Sequence, residues 1–562
     1  MQHVDTAAAV CNFAVYYASD AYSTAKKIMG RQSAGKAFMR GLSRTWPQGP
    51  LTGVGQGQAN ARAMLQQLQG DGFGGTLRWA ELPDWAALSA IGALYYPAPP
   101  SKELCYSRNA YRADAFSLMG VTHTLSSAGP MDHMAELVLP PFKPWDALIC
   151  TSQVAHTLAT QLQAEMRHWM NEQTGATRFN TPHMPIIPLG VDCPAFAPVP
   201  GHRGPARQAL GLQGDEVVFL FPGRLSFHAK ANPAPMYQAL ERAAAHAKVV
   251  CIEAGVFPNE AISKGFAAAR AALAPSVRFV PVDGNNLVAY QQAWQGADVF
   301  VSLADNIQET FGLTPVEAMA AGLPVIVSDW NGYKDTVRDG IDGIRVPTHL
   351  PPAGVGADLA MRHALELDTY DFYIGRTSLA TVVDPEALAQ ACVRLATDAG
   401  LRQQMGAQGQ ARALADYDWP VILRRYNALA QELAALRQSA GAQAPQPWLQ
   451  RADPFARFAH FATATVGGNW TVQAVPDAQA RLRQLLGLAM ANYALDGTLL
   501  PAEAIERVLA CAERGGAQSV NQLLATAGAQ SPAGMRCLMW LAKFALLRLH
   551  PPAPSGDAAL TR

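Results

Sequence analysis

Residues 298–329, DVFVSLADNIQETFGLTPVEAMAAGLPVIVSD, decide the fold. The stretch opens on a short apolar run at 299–302, passes through a loop carrying Glu309, enters a helix near Pro315 and returns to an apolar run at 325–328. Thr314 is the expected N-cap, Pro315 the first helical residue and Glu317 the third, the spacing of a capping box. Gly322 and Pro324 end the helix. Strand, helix and strand in this order make one βα unit of a parallel sheet. The loop after the first strand therefore opens at a carboxyl end, where open parallel sheets bind ligands, beside the positive end of a helix with free amides near Phe311, Gly312, Leu313 and Thr314. An anion site with a carboxylate beside it is the chemistry this pattern predicts.

The same alternation extends both ways. Strands are expected at 13–17, 94–96, 147–150, 217–221, 249–252 and 277–280, besides the two already named, with helical-period segments between them. They fall into two series separated by PLGVDCPAFAPVPGHRGPAR (188–207), whose prolines and glycines mark a linker. A polar break, RQSAGAQAPQPW (437–448), precedes a last segment with helical periodicity and no clear strands. The expected domains are 1–195, 206–436 and 449–562, the first two α/β and Rossmann-like and the third small and mainly helical.

Upstream, VVFLFPGRLSFHAKANPAPMYQAL (217–240) is a strand followed by a turn bearing Gly223, Arg224 and Lys230, then a helix. Cations on this first loop of the second series reach the same cleft as Glu309 and Glu317, and together they would neutralise a diphosphate. Two other glycine-rich stretches mislead. GRQSAGKA (30–37) has Ala37 where a phosphate-binding loop needs a hydroxyl for magnesium, so it reads as a helix start. GVGQG (53–57) lacks the spacing of a dinucleotide fingerprint and reads as a strand-to-helix turn.

Composition limits the function classes. The 562 residues carry 44 basic and 44 acidic side chains, which argues against a nucleic-acid binder, whose affinity needs an excess of Lys and Arg. The eight cysteines form no CxxC and no cluster at metal-ligand spacing, so neither a zinc site nor a disulfide framework is indicated and a cytoplasmic location is expected. The neutrality is uneven. Residues 21–70 contain Lys26, Lys27, Arg31, Lys36, Arg40, Arg44 and Arg62 and no acidic residue, which is either a solvated helix face or, through 26–44, a peripheral contact with an anionic membrane on its inner face.

Four motifs together carry a family resemblance: GR-x5-K at 223–230, E-x7-E at 309–317 enclosing Phe311 and Gly312, AAGLPVIVSD after it, and IIPLGVD at 186–192. In order and spacing they resemble the retaining glycosyltransferases of family 4 (glycosyltransferase group 1), over about residues 1–436. The resemblance implies a GT-B fold, with two Rossmann-like domains facing across a cleft and a terminal helix, through Arg437, crossing back to the first. It implies that Arg224 and Lys230 bind the diphosphate of a nucleotide sugar such as a UDP-sugar, that Glu309 contacts the hexose and Glu317 the ribose, and that Gly223, Thr310, Phe311, Gly312 and Leu313 complete the donor site. His123, in GVTHTLSS (120–127), stands where the family places a histidine against the donor sugar, and Gly30 is the candidate for its glycine-rich first loop.

The implied reaction is metal-independent hexosyl transfer from a nucleoside diphosphate sugar, the donor being substrate and no cofactor being required. The acceptor is a glycan, a lipid-linked precursor or a protein. A sugar-nucleotide epimerase or a phosphorylase on the same fold is the alternative within enzymes. A catalytically weak sugar-nucleotide-binding scaffold is the alternative outside them.

Overall fold

The computed structural model describes residues 10–22, 30–495 and 497–552. The chain divides into two compact units, Met1–Trp448 and Leu449–Arg562.

Twelve strands of the first unit form two parallel sheets. β1 (Ala14–Tyr16), β2 (Leu51–Gly55), β3 (Leu77–Glu81), β4 (Ala93–Tyr96), β5 (Ser117–Val121) and β6 (Ala147–Ile149) lie in the order β3-β2-β1-β4-β5-β6. β7 (Glu216–Arg224), β8 (Lys248–Val256), β9 (Arg278–Asp283), β10 (Val299–Ser302), β11 (Val325–Ser328) and β12 (Gly343–Val346) lie in the order β12-β11-β10-β7-β8-β9. Counted from its own first strand, each sheet runs 3-2-1-4-5-6, the doubly wound Rossmann order. The order reverses between β1 and β4 in one sheet and between β7 and β10 in the other. Such sheets take their ligands at the carboxyl ends of the strands at these points.

β10 (VFVS) and β11 (VIVS) are buried throughout, because helices cover both faces of the sheet. β2, β3, β5 and β12 are absent from the strands expected above, and β2, β3 and β12 lack such runs. β3, at an edge, buries only Ala80. β2 contains Gly53, where a Cβ would stand 2.6 Å from the Met64 sulfur and 2.8 Å from the Trp79 ring. The glycine there admits the neighbouring indole, at the cost of the hydrophobic signal that marks a strand.

GVGQG folds as read, turning from β2 into the helix Gly57–Gly70, and GRQSAGKA lies within the helix Gly30–Thr45. The capping box does not form. The helix Leu313–Ala320 begins one residue before Thr314, with Gly312 as N-cap at φ +79° and no side-chain cap. An added Cβ at Gly312 would meet the Tyr333 ring at 1.9 Å, so a close approach as well as the left-handed backbone requires glycine there.

The helix Trp419–Ser439 returns to the first sheet. Asn427 accepts from the amide of Asn12 at 2.7 Å and donates to the Val10 carbonyl at 3.1 Å, and Arg437 donates to Gly92 and to the Ser117 hydroxyl. Trp419 is buried against Gly41 and Gly190. Beside it, Arg44 forms a bidentate pair with Asp418 at 2.9 and 2.8 Å and reaches Asp192 at 2.9 Å, while Arg40 pairs with Asp192 at 2.7 Å and Asp71 at 3.1 Å. This corrects the reading of 26–44 as one basic face. Arg40 and Arg44 tie the Gly30–Thr45 helix to the linker and to the returning helix, and their charge is compensated. Lys36 and Arg62 are exposed, whereas Lys26, Lys27 and the Arg31 side chain lie outside the described residues.

Between β12 and the helix Pro385–Thr397 the chain makes a long excursion, residues 347–384. It leaves and re-enters through the antiparallel pair β13 (Thr348–His349) and β14 (Val382–Val383) and carries the helices Ala357–Ala364 and Tyr370–Ser378.

The second unit is mainly helical but also contains strands that periodicity did not reveal. β15 (Thr471–Ala474), β16 (Gln518–Ser519) and β17 (Leu547–His550) form an antiparallel sheet in the order β16-β15-β17. The apolar stretch LMWLAKFALLRL (538–549) divides into the end of the helix Pro532–Lys543, a turn at Ala545 with φ +55° and β17. Val472, Leu482, Leu509, Leu523 and Leu538 meet in its core. Asp496 lies outside the described residues. Among the described residues no helix is long and apolar enough to cross a membrane.

Candidate active site

The two elements at the switch point of the second sheet bring the expected residues together. β7 ends in Gly223, at φ +116°, and Arg224, and the following loop brings Lys230 back over the sheet. β10 ends at Ser302, and its loop brings Glu309 opposite. Lys230 Nζ and Glu309 Oε2 are 2.7 Å apart, each side chain less than a fifth exposed. Arg224, more exposed, donates to the Ala229 carbonyl at 2.8 Å and to Gln308 Oε1 at 3.2 Å.

Glu309 does not merely stand beside the helix end. Its carboxylate accepts from the amide of Thr310 at 3.3 Å and from that of Gly312, the N-cap. Burial pushes its pKa up, but the Lys230 ammonium and these amides outweigh burial and hold it below the ordinary carboxylate value. Lys230 shows the converse. Burial disfavours its charge, yet Glu309 keeps its pKa above the ordinary lysine value. The pair is therefore ionised, with the helix end and a cation sharing one carboxylate.

Glu317, one turn further into the helix, has no such support. Burial pushes its carboxyl up to about 7 against a weaker opposing effect of Lys230. A carboxyl that protonates near 4.5 when unfolded and near 7 when folded stabilises the fold below pH 4.5, and that contribution is lost as pH rises through 7. Glu317→Gln is accordingly expected to raise Tm at pH 8 by about 2–8 °C. The gain should vanish toward pH 4.5; thermal unfolding that shows the same difference at both pH values contradicts a buried, raised Glu317.

The facing wall comes from the first sheet. His123 follows β5, and its carbonyl accepts from the Thr310 hydroxyl at 2.8 Å. Ser152, N-cap of the helix Gln153–Thr174, donates to the Thr310 carbonyl at 2.8 Å. Next to His123 is a cavity at the switch point of the first sheet, lined by Tyr22, Gly35, Phe38, Tyr95 and Trp419 among others. Both switch points thus open toward one cleft.

Not every expected residue offers its side chain to that cleft. The Thr310 hydroxyl is engaged by His123, and Phe311 is a core ring, 2% exposed and packed 6.2 Å from Tyr417. Gly30 is the first described residue of the helix Gly30–Thr45, and residues 23–29 lie outside the described residues. Tyr333 is a participant that sequence reasoning missed. Tyr333 is fully buried beneath Gly312, its hydroxyl 2.9 Å from that of Ser302, and it forms the floor under the Glu309 loop. A single tyrosine inside NGYKDT (331–336) carries no spacing that would mark it.

Residues 203–354 match the family model described as glycosyl transferases group 1. The chain is 34% identical over 192 residues to a D-inositol 3-phosphate glycosyltransferase of Geodermatophilus obscurus, covering 32% of this chain and 41% of that protein. It is 32% identical over 180 residues to the protein of the same name from Actinosynnema mirum, covering 29% and 40%. The chain thus spans about two fifths of the length of these curated relatives. Among solved structures, Anabaena Alr3699/HepE in complex with UDP superposes with a TM-score of 0.49 and 15% identity, covering 75% of this chain and 99% of that one. Over residues 203–354, which hold Arg224, Lys230, Glu309 and Glu317, the chain matches the glycosyl transferases group 1 family.

Proposed function

We propose that the chain transfers a hexose from a nucleoside diphosphate sugar to an acceptor hydroxyl with retention at the anomeric carbon. The observation that carries this reading is the Lys230–Glu309 pair at a Rossmann switch point, with Arg224 beside it and His123 on the facing wall. An entering diphosphate takes over the Lys230 ammonium and the Arg224 guanidinium, the two cations that balance its charge. Glu309, released from Lys230 but still held by helix amides, then accepts hydrogen bonds from hexose hydroxyls, and Glu317 receives the ribose.

The bond between the anomeric carbon and the diphosphate oxygen breaks as the acceptor oxygen attacks the same face. The departing diphosphate takes the acceptor proton. Lys230, Arg224 and the helix end stabilise the charge that develops on the leaving group, a task for fixed cations in a water-poor cleft. Metal-independent turnover follows from that division of labour.

The test is a thermal-shift screen against nucleoside diphosphate sugars, followed by mass spectrometry and anomeric NMR of products formed from the best binder. The acceptor panel includes inositol phosphate, lipid-linked and glycan acceptors. An α-linked product from an α-linked donor, with activity surviving EDTA, is expected. Exchange with inorganic phosphate, epimerised donor without transfer, or binding without any turnover overturns the reading in favour of a phosphorylase, an epimerase or a scaffold respectively.

A further inference from the structure

The excursion 347–384 is longer than the connections that join the rest of the second sheet and carries two helices and a strand pair of its own. It is not loosely attached. Ile374 is fully buried, Gly375 lies against His228, two residues before Lys230, where an added Cβ would come within 3.1 Å of the His228 Cβ, and the Ser378 hydroxyl sits beside the buried Asp305 carboxyl in the β10 loop. Its second helix is therefore seated on both loops that carry the candidate donor residues.

One residue of this helix reaches across the cleft. Asp368 receives Arg362 at 2.8 Å and Arg376 at 3.2 Å, and Thr369 caps the helix, so Tyr370 is set at the first helical position by charges and a cap on either side. Its hydroxyl is 2.8 Å from the hydroxyl of Ser126 in the first sheet's β5 loop. That loop is held at both ends by the second sheet's loops, at His123 by Thr310 and at Ser126 by Tyr370. Thr310 directly follows Glu309, so both holds sit on the body that carries the donor residues.

We propose that Tyr370 is a positioning residue that latches the cleft shut: its phenol, carried on the 347–384 excursion, pairs with Ser126 and sets the balance between closed and open forms. The latch rests on the transferase reading only for its consequence, which is that closure brings the His123 loop onto a bound donor. A single neutral hydrogen bond shifts the closed-to-open ratio by roughly two- to tenfold.

The experiment is amide hydrogen exchange on the full chain without ligand, comparing wild type, Tyr370→Phe, Ser126→Ala and the double variant. Exchange of the 122–127 amides should accelerate by roughly two- to tenfold in each single variant, with no further gain in the double, while the Tyr370–Ser378 helix keeps its protection. Unchanged exchange at 122–127, additive effects, or loss of protection in the helix itself overturns the latch. With the best-binding nucleotide sugar, Tyr370→Phe should raise the donor KM by a similar factor and leave the pH profile of kcat unchanged. If no nucleotide sugar is turned over, the transferase reading fails, and the exchange result still decides the latch by itself.

Discussion

Lys230→Ala is expected to lower kcat by about 10²- to 10³-fold, the loss that follows removal of one preorganised donor to a developing negative charge. Two effects combine in this variant. The leaving diphosphate loses a fixed ammonium, and Glu309, less than a fifth exposed, loses the cation that keeps it ionised. With Lys230 gone, burial acts on Glu309 against the amides of Thr310 and Gly312 alone, so its pKa rises and the residual activity should gain an acidic limb displaced toward neutral pH. The double variant Lys230→Ala/Glu309→Gln separates the two. Replacing the orphaned carboxylate by a neutral amide should recover thermal stability without restoring turnover, because the ammonium remains absent. Lys230→Arg retains the charge in a different shape and should fall between, since a planar fork does not reproduce a point charge in the same space. Turnover of Lys230→Ala within threefold of wild type sinks the assignment.

How far this site could be read from the amino-acid order depends on where its information lies. Arg224 and Lys230 lie on the loop after β7, and Glu309 and Glu317 on the loop and helix after its neighbour β10, so the strand-loop-helix pattern could bring the cations to one cleft with the carboxylates, while Gly223 and Gly312 came only with the family resemblance. The helix start misled, because Thr314 and Glu317 have the capping-box spacing while the left-handed conformation open to Gly312 lets the helix begin earlier. Closed contacts between sheets leave no local pattern. Thr310 with His123, Ser152 with Thr310, and Tyr370 with Ser126 are separated by 187, 158 and 244 residues. The basic face at 26–44 shows the same limit. Nothing near Arg40 or Arg44 in sequence discloses that Asp71, Asp192 and Asp418 come to meet them. Strands whose side chains alternate or are absent, such as β3 and β2, were missed for a simpler reason: their burial depends on a neighbour, Trp79 against Gly53, and not on their own hydrophobicity.

The largest stability effect is expected far from the cleft, at Asp146→Ala. Asp146 and Arg108 form an ion pair whose two side chains are wholly buried, with Arg108 Nη2 at 2.9 Å from Asp146 Oδ2. The carboxylate also accepts the amides of Leu118 and Lys143, each at 2.9 Å, and Arg108 donates onward to the Phe116 carbonyl at 3.0 Å. One side chain thus fastens the start of β5 and the turn before β6 to the helix Lys102–Arg112. Truncating it leaves a guanidinium in the core without a counter-charge, a change that costs about 3–5 kcal/mol and should lower Tm by roughly 6–20 °C. Asp146→Asn keeps the shape and should still lose most of this, because the defect is charge and not volume. The double variant Arg108→Met/Asp146→Leu removes both charges and usually restores such a core, but here the amides of Leu118 and Lys143 would remain without an acceptor. Recovery should therefore be partial, and full recovery would show that those two amides find other partners. Because β5 ends at the His123 loop, Asp146→Ala should leave the donor KM near wild type at 20 °C yet inactivate at the lower Tm; a raised KM at 20 °C would mean that the pair also sets the position of that loop.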